Sequence, residues 1–355
     1  LPTRPHPSRF VSLGLAVLAG FWALISDRIA HSAADGLLGR LPASPVLSLL
    51  QPIFFLFLLC LGLTTIATLG RQPDSLRGAT ALPARMTSRE EWLRGTALGW
   101  LLALVAVVPM MLTGALHPDL QLEPRNWLLA IVSVALIALG TLAIEIAFRG
   151  YLFARLIDSI GTVAATIVVS LLYAIASNLH DHSTFLSVLI AFFTSLLLCN
   201  AYLRTHGIWV SWGLHFGWAV TTALFLGLPS AGDSSLPTLL VTSVSGPEWL
   251  TGGLYGPDGA LLTGIIRLAA LGLLYRITRE YAWRYTHPEI VPGGYPVEVA
   301  PPAAHTAMEN AAQPAPLVQI LGATPTRAST MPVIEEHLRQ REEASSNPVL
   351  PHEPE

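Results

Sequence analysis

Apolar residues run through this chain in blocks near the length of a membrane-crossing helix, about 20 residues, and the polar residues collect between them. The blocks are Phe10 to Ile25, Val46 to Leu69, Thr96 to Leu116, and Trp127 through Glu145 to the region of Phe153. Four more follow, Thr162 to Leu179, Phe185 to Leu203, Ile208 to Leu228 and Gly259 to Leu274. The pattern predicts an all-α fold, a polytopic membrane helical bundle of about eight transmembrane helices. The fifth and eighth blocks are short enough to be tilted or partly shielded by protein. The first block follows Arg4 and Arg9 and is not closed by a small-residue cleavage pattern, so it is read as a retained helix.

Composition agrees, with 52% of residues apolar and 12% charged against about a quarter in soluble proteins. All 20 basic residues are arginine, and their distribution orients the bundle. Arg71, Arg77, Arg85, Arg89 and Arg94 fall between the second and third blocks, and Arg276, Arg279 and Arg284 follow the eighth. Pro229 to Pro257 carries no basic residue. Basic connections stay on the cytoplasmic side, so both termini are expected inside and the Pro229 to Pro257 connection outside. The net charge of -3 gives no reason to expect nucleic acid as a partner. Cys60 and Cys199 lie within apolar blocks, as buried apolar cysteines do. From His287 onward, proline, alanine, glutamate and threonine dominate, which reads as a disordered cytoplasmic extension with one short helix around Val333 to Glu343. Three regions are therefore expected: 1–125 with the first helices and the basic loop, 126–285 as the main membrane domain, and 286–355 as the tail.

Polar groups inside the blocks are the candidates for chemistry. Glu145 and Arg149 stand four residues apart, so they share a helix face and can pair; locking helices together is the structural alternative to catalysis. His215, in GIWVSWGLHFGWAV, lies about seven residues past the start of its block, or about 10 Å into the bilayer. A comparable depth for Glu145 lets the two meet, with the glutamate as general base on a water and the histidine orienting that water or ligating a metal. His180, Asp181 and His182 also have ligand chemistry, but depth counting places them at the opposite membrane face. Arg267, within the eighth block, needs a carboxylate or carbonyls, and Glu145 is one candidate partner.

At these residues the chain resembles the CPBP or CAAX-protease-like intramembrane proteases over about Ala130 to Tyr281. The family's paired glutamates followed by Phe-Arg-Gly are matched by Ile144, Glu145, Ile146, Ala147, Phe148, Arg149 and Gly150. The second motif, an aromatic residue with histidine four positions on, reads Tyr173 and Ser177; the third, histidine with asparagine four positions on, reads His215 and Ala219. The resemblance implies a glutamate-based endopeptidase acting on a lipidated or membrane-embedded protein, in a bacterial inner membrane. It also implies the first glutamate of the pair as base, and here that position is Ile144.

The residues left to carry catalysis are Glu145, Arg149 and His215, with His180, three positions after Ser177, as the stand-in for the second histidine. His215 and His180 are also the candidate ligands for a divalent metal such as zinc. Two functions follow: an intramembrane endopeptidase, or a non-catalytic relative that binds or regulates a membrane or lipidated partner. Membrane lipids are expected partners of either.

Overall fold

In a computed structural model, residues 8–39, 45–70, 75–120, 124–179, 182–231 and 239–281 are described. They form an all-α membrane bundle: α1 (Arg9–Leu38), α2 (Leu50–Leu69), α3 (Ser75–Thr80), α4 (Ser88–Leu112), α5 (Pro124–Arg149) and α6 (Tyr151–Ile160). There follow α7 (Thr162–Ser177), α8 (Phe185–Thr205), α9 (Trp209–Ala219), α10 (Glu248–Thr251) and α11 (Leu261–Ile277). Two short strands, β1 (Leu116–Leu120) and β2 (Leu240–Val244), pair antiparallel with Leu116 opposite Val244. The expected tail, including the helix around Val333, lies outside the described residues.

All eight apolar blocks contain helix, but five helices among the described residues have the length and apolarity to cross a bilayer. These spans are Arg9–Leu38, Val46–Leu69, Ser88–Leu112, Leu129–Ile160, which takes in α5 and α6, and Phe185–Thr205. α7 and α11 are shorter, at 16 and 17 residues. α9 has only 11 residues before it loosens into a π-helical turn, Val220–Phe225. Most of α9 is buried, so protein rather than lipid surrounds its backbone, which is the condition under which irregular backbone is tolerated at membrane depth.

Two boundaries differ from the sequence reading. α1 continues beyond Ile25 to Leu38, and its extra turns carry exposed polar side chains, with His31 and Asp35 3.4 Å apart on one face. The fourth block is not one helix: it breaks at Gly150, which has ψ -129° and separates α5 from α6. A Cβ at Gly150 would sit 2.6 Å from the carbonyl oxygen of Ala79, so only glycine lets the chain pass α3 there.

The closest helix contact joins α4 to α9. A Cβ on Gly95 or Gly99 would meet the carbonyls of Val210 and Leu214 at 2.3 and 2.1 Å; one on Gly213 or Gly217 would meet those of Trp92 and Thr96 at 2.2 Å each. Glycine pairs spaced by four on both helices thus bring the two backbones into contact, the small-residue packing that associates helices without a hydrophobic driving force.

Interactions at the two ends tie alternate connections together. At the arginine-rich end, Arg85 donates to the carbonyls of Thr205 and His206 at 2.5 and 2.8 Å, and the Trp209 indole donates to Pro83 O at 2.8 Å. The Arg204 guanidinium reaches the Thr278 hydroxyl after α11. At the other end, the Pro229 to Pro257 connection contributes β2 and α10 and binds through β2 to the connection after α4.

Candidate functional site

The contact between α4 and α9 fixes the depth and rotation of His215, which stands between Gly213 and Gly217. Its Nδ1 lies 3.0 Å from Oε1 of Glu145, and the same oxygen accepts from Arg149 at 3.2 Å. Glu145 and Arg149 are fully buried, while the His215 side chain keeps 15% exposure. Arg149 also donates to the Ser195 hydroxyl at 2.7 Å, and its guanidinium carbon lies 4.8 Å from the centre of the Tyr173 ring. One carboxylate, one guanidinium and one imidazole thus join α5, α8 and α9. Removing any one partner leaves another polar group buried without compensation.

A cavity of about 1150 Å³ lies beside this group. Its wall includes Ile144, Ser177, His215 and Ala219, so these four residues face one space. Glu145 is not part of that wall. Consecutive helix positions point about 100° apart, and the 144/145 pair shows the consequence: the isoleucine faces the cavity and the carboxylate faces Arg149 and His215.

The cavity has an apolar side and a polar end. Leu13, Val17, Phe21 and Leu24 of α1 line the first, together with Val168 and Leu172 of α7. At the other end, Arg267 donates to Asp258 Oδ1 at 2.5 Å and to the Thr194 hydroxyl, with its guanidinium 4.4 Å from the Trp218 ring centre. The partner of Arg267 is therefore Asp258, nine positions away in GPDGAL, rather than Glu145. The Tyr255 hydroxyl donates to the backbone carbonyl of Ser177 at 3.0 Å, and burial beside Asp258 pushes its pKa above the usual phenol range. Together these bonds seat the Gly252 to Gly259 turn against α7 and α11.

His182 lines the cavity at an exposed position, while His180 and Asp181 lie outside the described residues. Among the described residues no three His, Cys, Asp or Glu side chains converge in a way that could hold a metal ion. Glu145 and His215 are two such groups, and Nδ1 of the histidine is already engaged by the carboxylate. These residues alone do not fit a zinc ion.

Several contributors escaped the sequence reading. Ser195 and Thr194 look like ordinary hydroxyls in a helix, and Tyr255 and Asp258 sit in a turn far along the chain. A readable signal existed for the glycines, whose four-residue spacing recurs in GTALG and GLHFG.

Residues 124–221 match the family model described as type II CAAX prenyl endopeptidase Rce1-like. The matched stretch holds Ile144, Glu145, Arg149, Ser177, His215 and Ala219; Asp258 and Arg267 fall beyond it. No curated protein and no solved structure matches the chain.

Proposed function

We propose, from the CAAX-endopeptidase-like stretch 124–221, that this membrane protein keeps the intramembrane cavity of such enzymes but holds a lipidated or membrane-embedded protein segment without cutting it. The observation that carries this reading is the placement of Ile144 on the cavity wall with Glu145 buried behind it. Peptide hydrolysis needs a base to activate water and donors for the charge developing on the carbonyl oxygen. Isoleucine transfers no proton, and Ser177 and Ala219 offer neither the imidazole nor the amide of the family pattern. Glu145 is committed to Arg149 and His215, and catalytic placement tolerates errors of only about 0.5 Å. The cavity itself has both an apolar wall and hydrogen-bonding groups, as a ligand site requires. In this reading the arginine-rich end faces the cytoplasm, eight helical blocks cross the membrane, and both termini lie inside.

A second reading rests on the bond from His215 Nδ1 to Glu145. A histidine oriented by a carboxylate through one nitrogen leaves the other free to take a proton, the arrangement of a general base. Here Glu145 would orient, His215 would activate water, and Arg149 would hold the carboxylate.

Binding is tested by photocrosslinking an S-alkylated peptide to the purified protein in nanodiscs. Labelling of cavity residues with the peptide intact supports the first reading; labelling with cleavage that is lost in His215→Ala supports the second.

A further inference from the structure

We propose that the polar end of the cavity recognises an uncharged amide group carried on a hydrocarbon chain, and discriminates against a free carboxylate or an ammonium at the same place. This rests on the binding reading above and specifies the chemistry of the bound group.

The argument starts from charge. Two ion pairs border the cavity, and each is closed on itself: Arg149 with Glu145, and Arg267 with Asp258. Arg267 is 6% exposed and Asp258 16%, so neither pair is diluted by solvent. The remaining acidic or basic wall residues outside the His215 group, Asp27 on α1 and His182 before α8, are exposed, and the other titratable groups on the wall are the phenols of Tyr173 and Tyr255. A ligand bringing a net charge to this end would bury it without a free counter-charge, which is expensive. A ligand bringing only a hydrogen-bonding group meets no such penalty.

Unused hydrogen-bonding capacity is present there. The Tyr173 hydroxyl has no hydrogen bond among the described residues, and Tyr173 lines the cavity between the His215 and Arg267 groups. Trp218 lines the same space through its ring, under the Arg267 guanidinium, with its indole nitrogen turned away from the cavity. Nε2 of His215 is not used by Glu145, which takes Nδ1. A phenol and an imidazole nitrogen together suit a group that both accepts and donates, and an amide does both. The aliphatic wall from α1 and α7 leads away from this end, and Leu13, Val17, Phe21, Leu24 and Leu172 on it are also exposed on the bundle's apolar surface. That gives the attached hydrocarbon chain a continuous path to the bilayer.

The amide could belong to a lipidated peptide or to a free amide lipid, and the test separates them. Full-length protein in nanodiscs is titrated with a fluorescent S-hexadecyl-cysteinyl dipeptide carboxamide, then challenged with the same dipeptide as free carboxylate, with hexadecylamine and with N-hexadecanoyl ethanolamine. The carboxamide should bind at least about tenfold more tightly than the carboxylate or the amine. Equal displacement by the ethanolamide assigns the site to an amide lipid, and weaker displacement assigns it to a peptide; both keep the amide chemistry. Asp258→Asn frees the Arg267 charge and should improve carboxylate binding at least about tenfold. The double variant Asp258→Asn, Arg267→Gln is neutral again and should return to the carboxamide preference. Tyr173→Phe, which retains the ring over Arg149, should weaken the carboxamide several-fold.

Carboxylate or amine binding as tight as carboxamide in the parent protein overturns the proposal while leaving cavity binding intact. Unchanged selectivity in folded Asp258→Asn or unchanged affinity in Tyr173→Phe overturns it as well. No binding of any probe defeats the binding reading itself, and the proposal with it.

Discussion

His215 and Glu145 are 70 positions apart in the chain, yet Nδ1 of one lies 3.0 Å from Oε1 of the other, linking α9 to α5 deep in the bundle. The same carboxylate oxygen holds Arg149. Charge balance in this group, more than any single contact, governs what substitutions there will do.

Arg149→Met should leave Glu145 without its guanidinium and destabilise the protein by about 3–5 kcal/mol, the usual cost of breaking a buried pair. Combining it with Glu145→Gln should recover most of the loss, because no unpaired charge then remains. Thermal unfolding of Arg149→Met, Glu145→Gln and the double variant in detergent checks both statements. Additive losses in the double variant would show that the pair is not coupled.

The glycine contacts allow a separate test of how His215 is positioned. Gly99→Ala puts a Cβ 2.1 Å from the Leu214 carbonyl oxygen and should destabilise by about 1–3 kcal/mol as an overpacked contact does. Gly272→Ala, on α11 with open space around it, should be neutral or stabilising by about 0.5–1 kcal/mol. Equal melting shifts for the two would contradict the close approach of α4 and α9.

Much of the helical architecture was legible because apolar blocks follow from the bilayer as solvent. Each block in 10–274 contains helix, and the 144/145 divergence follows from helical geometry alone. The break at Gly150 was not legible, since it depends on the Ala79 carbonyl pressing on that position from α3. Nor was the pairing of β1 with β2: LHPDL and LVTSV are too short to give a periodic signal. The Arg267 partner was missed for a related reason. Glu145 is one carboxylate the sequence offers, whereas the structure supplies Asp258 from a turn, and a turn's path is not written in hydropathy.

Orientation is open to a direct check. Single cysteines placed at Ser234 and at Arg89, in a background lacking Cys60 and Cys199, should be labelled by a membrane-impermeant maleimide from opposite sides. Ser234 should react from outside and Arg89 only after the membrane is opened. Labelling of Ser234 from the cytoplasmic side alone would invert the proposed topology.

If the side chains at 144, 177 and 219 are what keep the proposed cavity from cutting, supplying the family-pattern residues there should bring hydrolysis. The triple variant Ile144→Glu, Ser177→His, Ala219→Asn places a carboxylate, an imidazole and an amide on the wall of one cavity. Cleavage of a lipidated peptide should appear in this variant and stay undetectable in Ser177→His alone, as followed by mass spectrometry of the products. A folded triple variant with no activity would mean that the cavity departs from a working site in more than these side chains.

The central claim, a cavity retained without hydrolysis, is tested most directly by one cleavage assay. Purified protein in liposomes is given prenylated and simple transmembrane peptides, with and without added zinc, alongside Glu145→Gln and His215→Ala. The account predicts weak or absent turnover in all samples while the parent protein still binds the lipidated peptide. Robust turnover that disappears in both variants would contradict it and establish a rearranged protease built on Glu145 and His215.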